Sequence, residues 1–230
     1  MIDRSEAEEH LRVIRSLMEK ATIYRAISAE AAAVGGVLAL AASFAFGNCW
    51  TGLAYGSDDT REVSNSTFVA LWISVLVVTA LVNCFFLWRA ARKRNEPFVS
   101  SGMRMALRAV LPSYVVAGFL TAAVGFAPSM PNLIVPVWIL CHGLALLATA
   151  HFAPRSLAWL GWAFVAAGLW SAPQIVSINF TCLFSGGIPP EEYPRYMRFG
   201  SVLFGQQWMA YTFSLLHLIY AVCTWPRRAR

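Results

Sequence analysis

Charge is the scarcest commodity in this sequence. Twelve acidic and 18 basic residues make up 13% of 230, against 58% hydrophobic residues. A soluble domain carries about 25% charged residues, so this chain cannot clothe an ordinary water-facing surface. That excludes disorder, a collagen-like repeat, a disulfide-rich secreted fold and a soluble enzyme. Acid is rarer still inside the apolar stretches, where Glu30, at the start of the first one, comes nearest. A cation-coupled pump, whose pathway needs a buried carboxylate, is disfavoured on that ground. There are five cysteines and none has zinc-site spacing. P-loop, dinucleotide, nucleophile-elbow and zincin signatures are missing, which leaves no recognisable catalytic motif.

What is present is a set of long apolar runs. Six stretches, at about 27–46, 67–88, 106–126, 133–151, 157–176 and 204–225, are predicted to be membrane-spanning helices. A barrel would show shorter, alternating segments. The expected fold is therefore an all-α, six-span transmembrane bundle over 27–230, preceded by a cytoplasmic amphipathic helix within 1–26. Prolines 128, 131, 154 and 226 punctuate the connections. Fifteen of the 18 Lys and Arg residues fall on one side of that topology, in the N-terminal segment, the 2–3 and 4–5 connections and the tail. The positive-inside rule then puts both termini in the cytoplasm. It also explains the net charge of +6 without a nucleic-acid partner. Arg outnumbers Lys 16 to 2, a composition expected of a GC-rich bacterium, and the inner membrane is the expected location.

The first 25 residues are charged and acid-rich, unlike a cleavable signal peptide. Leu11, Ile14, Leu17, Met18 and Ala21 form one apolar stripe on a predicted helix, and Ser5 with Glu8 has capping-box spacing. Such a helix suits the headgroup boundary, or offers residues 1–25 to a membrane or cytosolic protein partner or a second copy. Between the fifth and sixth stretches, Pro189, Pro190, Glu191 and Glu192 read as a helix start, followed by Tyr193, Tyr196 and Phe199. This is a re-entry helix on the membrane surface, or a lid.

Within the bilayer, Ala31, Gly35, Ala39, Ser43 and Gly47 repeat small residues every fourth position. Small rows let helices approach closely, either within the bundle or in a homo-oligomer. His142 and His217 lie near the centres of the fourth and sixth stretches. Helical spacing gathers Gln207, Ser214 and Tyr220 near His217, and Thr149 near His142. Ionisable groups at such depth face the bundle interior. Here they are two hydrogen-bonded neutral rings, an axial pair on a b-type haem, or part of a proton or solute site. Pro112 and Pro173 are expected to kink the third and fifth helices. Cys84, Cys141 and Cys223 read as packing residues. Cys49 and Cys182 share the outer side, where a disulfide can form.

Several stretches resemble a family of uncharacterised bacterial multi-span integral membrane proteins. They are the opening His10-Leu11-Arg12-Val13-Ile14-Arg15-Ser16-Leu17-Met18-Glu19-Lys20 and the third-stretch start Met105-Ala106-Leu107-Arg108-Ala109-Val110-Leu111-Pro112. Gly143-Leu144-Ala145-Leu146-Leu147 and Leu216-His217-Leu218-Ile219-Tyr220 complete the set. The resemblance implies a multi-span protein with no assigned activity. Some members sit beside a winged-helix transcriptional regulator, which implies a sensing or stress-related role. His217 matches the family pattern. His142 departs from it, an aromatic such as Tyr being expected there, which tells against a paired-histidine haem.

Three functions follow as expectations. The first is a non-enzymatic accessory, sensory or assembly component with no cofactor, acting through helix packing and its N-terminal segment. The second is a haem protein using His142 and His217. The third is a small-solute or proton transporter with a polar site on the fourth and sixth stretches.

Overall fold

The computed structural model describes residues 8–14, 29–56, 65–93, 95, 97–99, 101–125, 133–151, 153–184 and 205–225. For 46–56, 65, 101–102, 124–125 and 175–184 only the backbone is described. Regular structure among them is helical throughout: α1 (8–14), α2 (Ala29–Gly56), α3 (Asn65–Lys93), α4 (Ser101–Gly125), α5 (Ile134–Ala148), α6 (Arg155–Phe184) and α7 (205–224). The helices cover the apolar runs and the breakers separate them. Asn95 takes a left-handed conformation (φ 54°), and its amide donates to the Arg92 carbonyl to close α3. Thr149 and Ala150 donate to Leu146 and Leu147 to close α5, and Pro154 opens α6 by accepting from the Leu157 amide.

The count of six spans is not supported. Among the described residues, two helical segments are long and apolar enough to cross a membrane, Ser66–Lys93 and Met103–Ala123. At about 1.5 Å per residue, the 15 residues of α5 rise only about 22 Å, short of a hydrocarbon core of about 30 Å.

The helices pack as two groups. α5 lies between α4 and α6; α2 lies against α3 and α7; α6 touches α7 and joins the groups. Phe68, Trp72, Val135, Ile139, Leu160, Phe164 and Met209 form the central apolar cluster. Large apolar side chains lie on the outside as well as in the core, and several polar ones are buried. Leu81 on α3, Phe119 on α4, Trp170 on α6 and Val222 on α7 are exposed, by 64%, 73%, 67% and 78%. Ser171, Thr212, Ser214 and Gln206 are buried. Cys84 and Cys223 are also exposed, not packed inside, whereas Cys141 is buried. Large contiguous apolar surface marks contact with an apolar medium or partner.

Burying apolar side chains from lipid gains little, so contact between such helices rests on close backbones and hydrogen bonds. Both are present. α5 and α6 touch at Gly143 and Gly161: a Cβ on Gly143 would lie 2.9 Å from the Gly161 carbonyl oxygen and from the Val165 nitrogen. The small row of α2 points inward too, with Ala31, Gly35, Ala39 and Ser43 all buried within the chain. A Cβ on Gly35 would meet Thr79 of α3 at 2.8 Å, and one on Gly36 would meet Leu218 of α7 at 2.8 Å. The Gly47 side of that row lies outside the described residues, as do the side chains of Cys49 and Cys182 and the 5–6 connection with Pro189 to Phe199.

α4 is held to α5 by two polar contacts, Trp138 Nε1 donating to Thr121 Oγ1 at 2.7 Å and Tyr114 Oη paired with His142 Nδ1 at 2.8 Å. At the end of α3 the Arg92 guanidinium lies 5.3 Å from the centre of the Trp88 ring, a basic–aromatic pair of the kind found at a headgroup boundary. α1 carries exposed Leu11, Val13 and Ile14. The remainder of the expected 1–26 helix lies outside the described residues.

Candidate functional site

The two deep histidines meet. α5 supplies His142, α7 supplies His217, and their ring centres are 5.3 Å apart. Phe164 of α6 and Phe213 of α7 complete the cluster. Phe164 is 4.7 Å from His142 and 5.2 Å from His217, both edge-on. Phe213 lies 5.1 Å from His142 and is near-parallel to His217 at 6.3 Å. Tyr114 of α4 reaches the cluster through its bond to His142. Three residues from the two helical groups therefore form one buried polar node, walled by two phenyl rings.

The hydrogen bonds define the rings. His217 Nδ1 lies 3.0 Å from the Phe213 carbonyl oxygen, which can only accept. Nδ1 therefore carries the proton, and Nε2 of the neutral ring keeps a lone pair. His142 Nδ1 faces the Tyr114 hydroxyl, while its Nε2 is fully enclosed and has no hydrogen-bond partner among the described residues. Most buried hydroxyls nearby are satisfied by their own helix, including Ser171 by Gly168, Thr212 by Trp208 and Thr121 by Ala117. Ser43 and Ser214 are buried without a partner among the described residues, but a hydroxyl can rotate toward a carbonyl of its own helix. The imidazole nitrogen has no such freedom.

The local backbone is unusual here. Ala210–Leu216 forms a π-helical turn in the middle of α7, ending where His217 begins the final α-helical segment. Widened turns of this kind concentrate at functional sites. Within this one, the Phe213 carbonyl is occupied by the His217 ring.

The expected polar face is only partly assembled. Ser214 and Tyr220 are buried on α7. Gln207 is exposed, and its neighbour Gln206 is buried instead, accepting from Trp72 Nε1 at 3.1 Å. The π-turn lies between both glutamines and His217, so a regular 3.6-residue count does not carry across it. Thr149 is buried but caps α5, its hydroxyl donating to Leu146 at 2.6 Å. It lies seven residues, about 10 Å of helix rise, beyond His142. Tyr114, Phe164 and Phe213 were not among the expected site residues. Tyr114 stands two residues after Pro112 in a polar-small run, the one signal that would have pointed to it.

Replacing Gln206 strands the Trp72 N–H, which costs about 1–3 kcal/mol. We expect Gln206→Ala to lower the thermal midpoint in detergent, with Gln207→Ala changing stability by no more than about 0.5 kcal/mol. Equal effects of the two would contradict the orientation of α7.

Phenyl rings stand on the flanks of the histidine pair, where a haem macrocycle would have to lie. An axial pair places its imidazoles on opposite faces of a flat macrocycle, with each iron–nitrogen bond about 2 Å long. Here the ring centres are 5.3 Å apart and the rings of Phe164 and Phe213 close the flanks. The described residues contain no group of three or more His, Cys, Asp or Glu side chains placed to hold a metal ion. No family model, curated protein or solved structure matches this chain.

Proposed function

We propose that this is a multi-pass membrane protein whose function resides in the intramembrane node of Tyr114, His142 and His217, a site for binding and passing a small polar solute. The observation that carries the reading is the enclosed, unpartnered Nε2 of His142 beside a second imidazole. Leaving such a group unsatisfied costs free energy, and ionisable side chains within a bundle at membrane depth mark substrate and ion pathways. In this reading α3 and α4 cross the bilayer with their exposed apolar faces toward lipid, and the remaining helices enclose the node. Arg89, Arg92 and Lys93 at the end of α3, and Arg104 and Arg108 at the start of α4, face the cytoplasm of a bacterial cell, as both termini do.

Purified protein in liposomes tests this, with glycerol as the solute and an internal pH dye for protons. Glycerol flux above protein-free vesicles is expected, falling at least about tenfold in His142→Phe and His217→Phe if the barrier rises by about 1.4 kcal/mol or more. Retained helical circular dichroism shows that the variants fold. Flux unchanged in both variants would contradict the reading.

A second reading, an accessory or sensory component, is supported by the exposed Leu11, Val13 and Ile14 of α1, which suit a lipid or protein surface. Pull-down of partners with and without residues 1–20 tests it; an unchanged partner set counts against it.

A further inference from the structure

We infer that the node binds one neutral hydroxyl group, held between the two imidazoles by accepting from His142 Nε2–H and donating to His217 Nε2. This rests on the reading of the node as a solute site and names the class of ligand it takes.

The assignment follows from counting protons. The Phe213 carbonyl obliges His217 to carry its proton on Nδ1, so its Nε2 is an acceptor. The Tyr114 hydroxyl is paired with His142 Nδ1. If Tyr114 donates, Nδ1 is the acceptor and the single proton of neutral His142 sits on Nε2. That assignment uses the phenol proton, and it leaves one donor and one acceptor on neighbouring rings. The opposite assignment leaves the phenol proton without a partner among the described residues and leaves lone pairs on both Nε2 atoms, in surroundings lined by Phe164 and Phe213.

Length agrees with this choice. Two hydrogen bonds of about 2.9 Å meeting at a tetrahedral oxygen span about 4.7 Å between nitrogens. Rings with centres 5.3 Å apart are compatible with that separation, and no direct bond to His142 Nε2 forms. A hydroxyl both accepts and donates, so it satisfies both nitrogens at once. A carbonyl or a quaternary ammonium group satisfies at most one. The phenyl walls suit an apolar remainder, so water and a small alcohol share the chemistry. A continuous proton wire fits less well, because the chain of bonds ends at a backbone carbonyl that has no proton to pass on.

The experiment is ¹⁵N-histidine NMR of the full chain in lipid nanodiscs, with methanol as the alcohol probe. The expected spectrum shows His142 as the Nε2–H tautomer and His217 as the Nδ1–H tautomer, with a cross-peak from His142 Nε2–H to a hydroxyl. A cross-peak at the water frequency that methanol leaves intact identifies water; one replaced by the methyl resonance of methanol identifies an alcohol. Either supports the assignment. In Tyr114→Phe the donor to Nδ1 is gone, and the Nε2–H population of His142 is expected to fall while helical circular dichroism is kept. Both histidines as Nδ1–H tautomers, or no hydroxyl cross-peak, overturns the proposal. So does a stoichiometric complex with added Cu(I) in which both Nε2 atoms coordinate. Because these readouts are equilibrium measurements, loss of the hydroxyl with glycerol flux intact removes this inference alone; loss of flux with the hydroxyl intact removes transport alone.

Discussion

Gly143→Ala is expected to destabilise the protein by about 1–3 kcal/mol, the cost of overpacking a close contact. That corresponds to a thermal midpoint lower by roughly 3–10 °C for a chain of this size. The reason is what the new methyl would meet. Its nearest neighbours include the Gly161 carbonyl oxygen and the Val165 nitrogen, both 2.9 Å away and both backbone, so no side-chain rotation relieves the clash. α6 would have to back away from α5 along its length. The ring contact of His142 with Phe164 depends on that spacing, so the histidine site is expected to loosen with the fold. Gly118→Ala is the control. Nothing lies within 4 Å of a Cβ there, and helix propensity alone predicts a neutral or slightly stabilising change of up to about 1 kcal/mol. Thermal denaturation of both variants in one detergent checks the pair. Similar losses in both would mean that glycine matters here for some reason other than the α5–α6 crossing.

Phe119→Arg is expected to prevent stable membrane integration. Phe119 is 73% exposed near the middle of the apolar part of α4. On a water-facing surface, Arg at that position would be harmless or helpful. Facing lipid, it costs about 2.5–3.5 kcal/mol on insertion scales. The two readings thus differ in sign as well as in size. The fraction of protein resisting alkaline carbonate extraction from membranes is the measurement. It should fall sharply for Phe119→Arg and stay unchanged for Arg104→Ala, which removes charge from the basic end of the same helix.

Much of the architecture was legible in the sequence because membrane helices are written in runs of composition. Each apolar stretch became a helix; Pro154 and Asn95 sit where helices start or end, while Pro112 and Pro173 lie within α4 and α6, which continue through them. The number of crossings was not legible to the same degree. Composition marks α5 as apolar as strongly as α3, and only the turn begun at Thr149 shows that it stops after 15 residues. The inward face of α2 was readable from Ala31, Gly35, Ala39 and Ser43, since small residues at a four-residue repeat leave few other uses.

The site was half legible. Two histidines at matching depth can be counted along a chain, and they are in contact. Their partners could not be found that way. Tyr114 reaches His142 across two helices, which depends on how α4 docks. Phe213 enters as a carbonyl oxygen as well as a ring, and carbonyls leave no trace in a residue pattern. The π-turn over Ala210–Leu216 has no breaker or cap to announce it.

The central claim is that the bundle exposes large apolar side chains because lipid is its solvent. Tryptophan quenching by acyl-brominated lipids tests it most directly, using chains that retain one tryptophan each. Trp170 is exposed at the middle of α6, and Trp72 is buried against Gln206 seven residues into α3. The account predicts strong quenching of the chain retaining Trp170 and weak quenching of the chain retaining Trp72. Equal quenching of the two, or no quenching of Trp170, would contradict it.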